Sequence, residues 1–537
     1  LLRALWVSLA LALLAVGAWL RAGTWPWHSN LWSVDWLSYY EPQAAALGSG
    51  RLWAWAGSWE GLHPPVSGIV HGTLMALGVP LLGHWMATVT AGLAAIGLLA
   101  WMVGKEGRGP LAVLLVLWAA LSPLQVNYGL NTSPYPWTLL LVASSLWMLT
   151  RVGLERRAWL MAAVLTGLAV QTHVLAFAVA VAQALWLAAR SRGQTEQWRA
   201  HALRWAQIVG VFCVPMVIGS LSKTSDPWTF HIEGGGEHWS RTAWLVLHER
   251  FGARPSALWL GGTLGALGLV GAARRPREVT GLLVLSAVGW LAALWLFIEL
   301  GVADPRLSHY YLVPHLLLLA AGTAGASSLV DAVPVAHRSK ALWALVIALA
   351  GVSAAWVDEA LRTELGRQAE AHRQLSAAEA ARTVIRRAFA DAGDGDVVAY
   401  LWDHQFLNDE PEYLDPYAGW PLSAVGRGCR EEHPPRGLCN ARGEARFYFD
   451  PSAFTGPLYE LEEPLRLMVN QAHPPGQAQI VLVPGPDAPP RPFPAESWME
   501  GNGAARSDLG DGVAVWTFPV GARVEPPNEP LEPPESE

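Results

Sequence analysis

Long apolar stretches alternate with short polar ones over the first two thirds of the chain. Most of them approach the roughly 20 residues that a helix needs to cross a hydrocarbon layer. The apolar runs fall at 3–22, 82–104, 109–126, 135–152, 158–171, 174–190, 203–221, 257–273, 279–301, 309–330 and 341–357. This pattern predicts an α-helical polytopic membrane protein with about eleven crossings. A further segment, 64–80, is only moderately apolar and opens on Pro64 and Pro65, which suit the first turn of a helix. It is read as lying along the outer surface or re-entering, without crossing. Beyond residue 357 the pattern changes. Residues 358–392 are rich in Ala, Glu and Arg, as a surface helix should be. Short runs at 397–401, 446–449, 479–483 and 513–516 predict strands with turn-rich connections. The expected organisation is a transmembrane domain over 1–357, a small C-terminal α/β domain over 358–524 and a disordered Pro- and Glu-rich tail over 525–537.

Composition agrees with the membrane reading: of 537 residues 52% are hydrophobic and 15% charged. Many of the 30 Trp flank apolar runs (Trp25, Trp27, Trp85, Trp101, Trp137, Trp159, Trp205, Trp356), where an amphipathic ring favours the headgroup layer. Residues 1–22 carry Arg3 and a long apolar core with no small-residue cleavage pattern after it, and are read as an anchor.

Charge sets the expected topology. The net charge is -7, with the acidic excess largely in the last third, and nothing points to nucleic acid as a partner. Between the apolar runs the basic residues cluster at Lys105 and Arg108, at Arg151, Arg156 and Arg157, at Arg190, Arg192 and Arg199, at Arg274, Arg275 and Arg277, and at Arg338 and Lys340. By the positive-inside rule all of these loops are cytoplasmic, provided that 64–80 does not cross. The external loops are then 23–81, 127–134, 171–173, 222–256 and 302–308, and the C-terminal domain is extracytoplasmic. Of the three cysteines, Cys213 lies in an apolar run. Cys429 and Cys439 sit in a polar Gly- and Pro-rich stretch, where a disulfide in an oxidising compartment suits them better than a metal site.

Candidate chemistry concentrates on the external side. Asp35 stands in Val34-Asp35-Trp36-Leu37-Ser38-Tyr39-Tyr40-Glu41, with His63-Pro64-Pro65 following. A carboxylate at a membrane face suits a general base, although the same residue can simply cap a helix. Arg306 suits a lipid phosphate through its bidentate guanidinium, or else snorkels to the interface. His309 can assist it, while His63 and His173 divide between substrate contact and helix-end structure. In 222–256, Asp226, Trp228, His231, Glu233 and Trp239 surround Gly234-Gly235-Gly236, a composition suited to an acceptor-binding loop. The histidines lack the tight spacing of a zinc site, so no obligatory metal is expected, while an accessory divalent ion stays open.

Four segments resemble one family. The Asp35–Glu41 run with Ala44-Ala45-Ala46 and His63-Pro64-Pro65, the stretch from Ser122-Pro123 through Tyr128 to Pro134-Tyr135, Gly167-Leu168-Ala169-Val170-Gln171-Thr172-His173, and His309-Tyr310-Tyr311-Leu312-Val313-Pro314 occur in the order seen in polytopic glycosyltransferases of the C superfold. They are similar to the protein O-mannosyltransferase and aminoarabinose-transferase relatives, and together they span roughly residues 1–335. The resemblance implies an inner-membrane glycosyltransferase that takes a sugar from a polyprenyl-phosphate-linked donor and gives it to an extracytoplasmic cell-envelope acceptor. Asp35 is then the catalytic carboxylate. Tyr39, Tyr40, Glu41, His63, Tyr128, Asn131, Tyr135 and His173 fall at substrate-binding positions, and Arg306, His309 and Tyr310 at the lipid phosphate. Two departures stand out: Trp36 and Asn131 occupy places where relatives carry acids. A non-catalytic relative that binds lipid-linked glycans therefore remains an alternative, and a transporter a more distant one, since no internal repeat supports it.

Overall fold

The computed structural model describes residues 2–22, 41–48, 50, 52, 65–79, 81–104, 108–129, 134–151, 157–191, 196–222, 255–299, 308–391, 397–402, 437–439, 445–449, 466, 469–470, 477–483, 494–510 and 513–524. Each predicted apolar run is occupied by a helix. In chain order the helices are α1 (Leu2–Ala22), α2 (Glu41–Gly48), α3 (Val66–Ala76), α4 (Leu81–Val103), α5 (Gly109–Leu121), α6 (Pro123–Gly129), α7 (Tyr135–Thr150) and α8 (Ala158–Val170). They continue as α9 (Ala176–Ser191), α10 (Glu196–Ser222), α11 (Pro255–Arg274), α12 (Val279–Glu299), a 3-10 turn over Ser308–Tyr311, α13 (Leu312–Asp331) and α14 (Arg338–Asp391). Among the described residues five helices are long and apolar enough to cross a membrane: Arg3–Ala22, Gly83–Val103, Val279–Glu299, Leu312–Asp331 and the Val335–Gly366 stretch. The chain is accordingly a multi-pass membrane protein.

Two elements differ in detail from the sequence pattern. The run 109–126 is broken at Ser122, where Pro123 cannot donate into the helix and starts the short α6. The predicted last span and the predicted surface helix form one continuous helix, α14, of 54 residues. The Ala-, Glu- and Arg-rich sequence after residue 357 consists of strong helix formers and contains no proline to end it. At 11 residues α3 is about 16 Å long, about half the hydrocarbon thickness, and does not span it.

The chain divides into two compact units. The first contains α1 to α13 and α14 as far as Gln368. Lipid-like surroundings give helices little hydrophobic reason to associate, so close approach of small residues and interhelical hydrogen bonds carry the specificity. Gly268 and Gly271 of α11 lie against Ala321, Gly322 and Gly325 of α13, so closely that a Cβ on Gly271 would stand 2.5 Å from the Gly325 Cα. Across α7, α8 and α9, Thr166 Oγ1 donates to Gln183 Oε1 at 2.7 Å and Gln183 Nε2 donates to Ser145 Oγ at 2.8 Å. Trp118, Trp186 and Trp290 are fully buried. Trp85 and Trp205, expected at the interface, also pack inside, whereas Trp101 is exposed.

Basic residues gather at one end of this unit. Asp331, the last residue of α13, pairs with Arg108 at the start of α5 and with Arg275 after α11, the latter at 3.1 Å. Arg338 Nη2 donates to the Asp331 carbonyl at 3.1 Å. The opposite end of α13, Leu312, lies about 30 Å away by helix rise.

The second unit contains a six-stranded mixed sheet of order β2-β3-β1-β4-β6-β5. Its strands are β1 (Val397–Trp402), β2 (Gly437–Cys439), β3 (Ala445–Phe449), β4 (Ala478–Val483), β5 (Ala505–Gly510) and β6 (Val513–Thr517). β1 pairs in parallel with β3 and β4, with Ala399 opposite Phe447 and Ile480. The remaining pairs are antiparallel. The two strands that the sequence pattern did not reveal are the edges, one of three residues and one carrying Arg506 and Asp508. Short or charged edges resist pairing with other chains, and the same traits hide them from a hydrophobic pattern. An additional helix, α15 (Pro494–Gly501), sets Trp498 6.1 Å from Phe518.

Candidate functional site

The end of the bundle opposite the Asp331 cluster is built from two chain reversals and a tie between them and the start of α3. Between α8 and α9 the chain turns through Gln171–Leu175, closed by His173 N donating to the Ala169 carbonyl at 3.1 Å. The turn receives a second strut from outside: Val66 N, the first amide of α3 after His63-Pro64-Pro65, donates to the Gln171 carbonyl at 3.0 Å. The start of α3 is thereby tied to the Thr172-His173 corner. The second reversal is the 3-10 turn at Ser308–Tyr311, which delivers the chain into α13.

Tyr135, His173 and Tyr310 meet here. Tyr135 opens α7, His173 sits in the α8–α9 corner, and Tyr310 lies in the 3-10 turn. Their rings lie 4.7 Å (Tyr135–His173), 6.3 Å (Tyr135–Tyr310) and 6.3 Å (His173–Tyr310) apart, within the range of favourable aromatic contacts. Trp290 of α12 completes the group, 5.8 Å from His173 and nearly parallel to it, with its indole N–H on the Tyr310 carbonyl at 2.9 Å. Tyr135 and His173 are buried and Tyr310 is half-buried.

The hydrogen bonds fix the histidine's tautomer. Leu175 N donates to His173 Nδ1 at 3.2 Å, so Nδ1 carries a lone pair and the ring proton sits on Nε2. Nε2 lies 3.1 Å from Tyr135 Oη and donates to it. The phenol accepts from the histidine and serves as a donor on its other side.

A second set of contacts holds the neighbouring helix. Gln125 of α6 donates from Nε2 to the Leu312 carbonyl at 2.9 Å and lies 3.4 Å from His315 Nδ1. Its own carbonyl accepts from Arg21 Nη2 at 2.8 Å, while Arg21 Nη1 reaches Gly17 O at 2.8 Å. The end of α1, the start of α6 and the start of α13 are thus fastened by one amide and one buried guanidinium.

The segment between α1 and α4 contributes a helix pair, α2 and α3. Gly72 on α3 lies against Ala44, Leu47 and Gly48 on α2, and Gly68 against Gln43, so small residues bring the two backbones together. A Cβ on Gly72 would come within 2.7 Å of the Ala44 carbonyl. His71 of α3 and His84 of α4 bring their Nδ1 atoms to 3.0 Å.

Of the other residues expected in the site, Glu41 begins α2, Tyr128 lies in α6 and His309 in the 3-10 turn, with side chains outside the described residues. Asp35, Tyr39, Tyr40, His63, Asn131 and Arg306 lie outside them altogether, as do Cys429 and the 223–254 segment. Cys439 is in β2, with its side chain outside the description, and Cys213 is a free thiol. No group of three or more His, Cys, Asp or Glu capable of holding a metal occurs among the described residues. Trp290, Gln125, Arg21 and the His71–His84 pair were not anticipated. Their one sequence signal is a polar or ring-nitrogen group inside or beside an apolar run, where an unsatisfied polar atom is costly.

No family model matches the sequence, and no curated protein sequence matches it. Among solved structures the chain shares the fold of ArnT from Cupriavidus metallidurans. The apo crystal structure of that protein aligns with a TM-score of 0.52 over 98% of this chain and 100% of its own, at 17% identity. The structure of the same protein bound to undecaprenyl phosphate aligns at 0.50 over 97% and 99%, at 15% identity. The motif order and the three-dimensional likeness lead to the same polytopic architecture.

Proposed function

We propose that this chain is an inner-membrane glycosyltransferase that moves a sugar from a polyprenyl-phosphate-linked donor to an extracytoplasmic cell-envelope acceptor, with Asp35 as the general base. The observation that carries this reading is the convergence of Tyr135, His173 and Tyr310. They come from three separate motif segments, at the end of the bundle opposite the Asp331 cluster. The polytopic fold shared with ArnT, which has been crystallised with undecaprenyl phosphate, supports a lipid phosphate as the donor's carrier.

In the reaction, Asp35 takes the proton of an acceptor hydroxyl as its oxygen attacks the anomeric carbon. The new carbon–oxygen bond forms as the bond to the donor phosphate breaks, and polyprenyl phosphate leaves with the electron pair. Arg306, with His309, meets the negative charge that grows on the departing phosphate. Tyr135, held by His173, and Tyr310 form an aromatic and donor surface on which a sugar ring can lie. In this reading eleven helices cross the membrane, the basic ends face the cytoplasm, and the unit with the sheet is extracytoplasmic, where Cys429 and Cys439 can pair.

Purified wild-type and Asp35→Asn proteins, offered a polyprenyl-phosphate sugar and a cell-envelope extract, test this directly. The variant is expected to bind donor and to lose transfer. Retained transfer removes Asp35 from the mechanism, and donor binding without transfer by the wild type makes the chain a glycan-binding relative.

A further inference from the structure

His71 and His84 are fully buried, and their ring geometry is specific. The Nδ1 atoms are 3.0 Å apart, the centroids 5.3 Å apart, and the ring planes differ by 11°. The centroid separation exceeds the nitrogen separation by about two ring radii, which happens only when both nitrogens lie on the line joining the rings. The two imidazoles are therefore nearly coplanar and joined end to end by an Nδ1–H···Nδ1 hydrogen bond. Lone pairs so aligned do not converge on a third point, so the pair is not arranged to chelate a metal. The Trp137 ring stands edge-on to His71 at 6.4 Å, closing one side.

The bond joins two parts of the chain that a tight turn would otherwise leave to hinge. α3 ends at Ala76, and Gly78, at φ 68°, turns the chain toward α4. Thirteen residues separate the two histidines, so the bond folds α3 back on the start of a membrane helix. α2 packs on α3 through Gly68 and Gly72. Whatever holds α3 therefore also holds the helix that begins at Glu41, six residues after Asp35.

We propose that His71 and His84 are positioning residues: they form a proton-sensitive latch that holds the first-loop helices on the bundle, closed by one shared proton and opened when each Nδ1 carries its own. A neutral pair has one Nδ1–H and one Nδ1 lone pair. A first added proton goes to an Nε2 and leaves the bond intact as an imidazolium–imidazole contact. A second removes the accepting lone pair and sets two cations against each other in a buried place. Besides the two histidines, the helices packed on α2, α3 and α4 carry Glu41 on α2, Arg3 and Arg21 on α1, Tyr128 on α6, Tyr135 on α7, and His315 and Asp331 on α13, the last at the opposite end of the bundle. The open form binds more protons than the closed form, so the latch is favoured as pH rises and is lost as pH falls below the ordinary histidine range. This inference rests on the proposed reading only in taking the first loop to carry the catalytic carboxylate.

The test is amide hydrogen exchange of residues 66–79 in the intact protein in lipid nanodiscs from pH 7.5 to 5, corrected for intrinsic exchange. Wild-type protection is expected to fall by up to about tenfold per pH unit for each proton taken up. In His84→Asn the amide can turn either its NH2 or its oxygen to His71 Nδ1, so the bond survives protonation and protection stays level with pH. His84→Phe, which offers no bond, is expected to be poorly protected at every pH. Wild-type exchange that ignores pH, or a fall in His84→Asn equal to the wild type's, overturns the latch. None of these readouts involves sugar transfer. A protein that shows the latch but transfers nothing refutes the proposed function alone, and one that transfers with pH-independent exchange refutes the latch alone.

Discussion

Replacing Asp331 should unfasten the basic end of the bundle at a cost that its surroundings determine. One carboxylate serves two guanidinium groups, and it does so at a helix C-terminus, where the backbone carbonyls already favour cations. The two partners are not equivalent. Arg108 is 10% exposed and lies in a pocket completed by the Ser327 carbonyl at 2.6 Å, whereas Arg275 is 37% exposed and has Glu278 as a second partner. Removing the partner of a buried charge costs about 3–5 kcal/mol. The contact with Ser327 puts Arg108 toward the low end, and the more exposed Arg275 adds about 0–1 kcal/mol. Asp331→Leu should therefore destabilise the protein by about 3 kcal/mol, and Arg108→Met by only about 1 kcal/mol, because Asp331 keeps Arg275 as its partner. The double variant should lose far less than the sum, because no unpaired charge remains. Denaturant titration in mixed micelles, followed by tryptophan fluorescence, gives the three values. Single losses that add within about 0.5 kcal/mol would mean that the two residues do not act on each other, and the account of this cluster would be wrong.

Three further outcomes are expected. Tyr135→Phe removes the acceptor of the His173 Nε2–H, which should cost about 1–3 kcal/mol in stability and lower kcat/KM for transfer; unchanged values in both assays exclude the tyrosine from the site. Gly72→Val forces a side chain against the Ala44 carbonyl and Leu47, so proteolysis between residues 41 and 76 should accelerate by an amount matching about 1–3 kcal/mol, while Gly210→Ala, with nothing within 4 Å of its added Cβ, should leave the rate unchanged. Thiol titration of denatured, unreduced protein should find Cys213 alone if Cys429 and Cys439 are bridged, and all three cysteines react if they are not.

The helical framework was legible because an apolar run is a direct imprint of the environment that a membrane helix occupies. The runs at 82–104, 279–301 and 309–330 reappear with ends shifted by only a few residues. Boundaries failed where propensity outlasted hydrophobicity, as in α14, whose polar half continues the apolar one without a break. The central strands were readable from β-branched and aromatic runs such as Val397–Leu401, the edge strands were not. In the candidate site, Tyr135, His173 and Tyr310 were found through motif order. Trp290 was missed because a tryptophan in an apolar helix reads the same whether it faces lipid or a histidine ring. The histidine pair was missed for a different reason: two residues thirteen apart become partners only once a turn folds one helix back on the next.

The tautomer of His173 has a consequence for the kind of guest that this wall accepts. Because its Nδ1 is spent on the amide of Leu175, the ring presents only hydrogen to Tyr135, whose own hydroxyl hydrogen is then left to donate. The relay has a direction, from the α8–α9 turn through imidazole to phenol, and it ends in a proton rather than a lone pair. In the proposed reaction such a surface suits the oxygens of a sugar or a phosphate better than a bare cation. The proton of the acceptor hydroxyl is therefore taken, in that proposed reaction, by Asp35 and not by this relay.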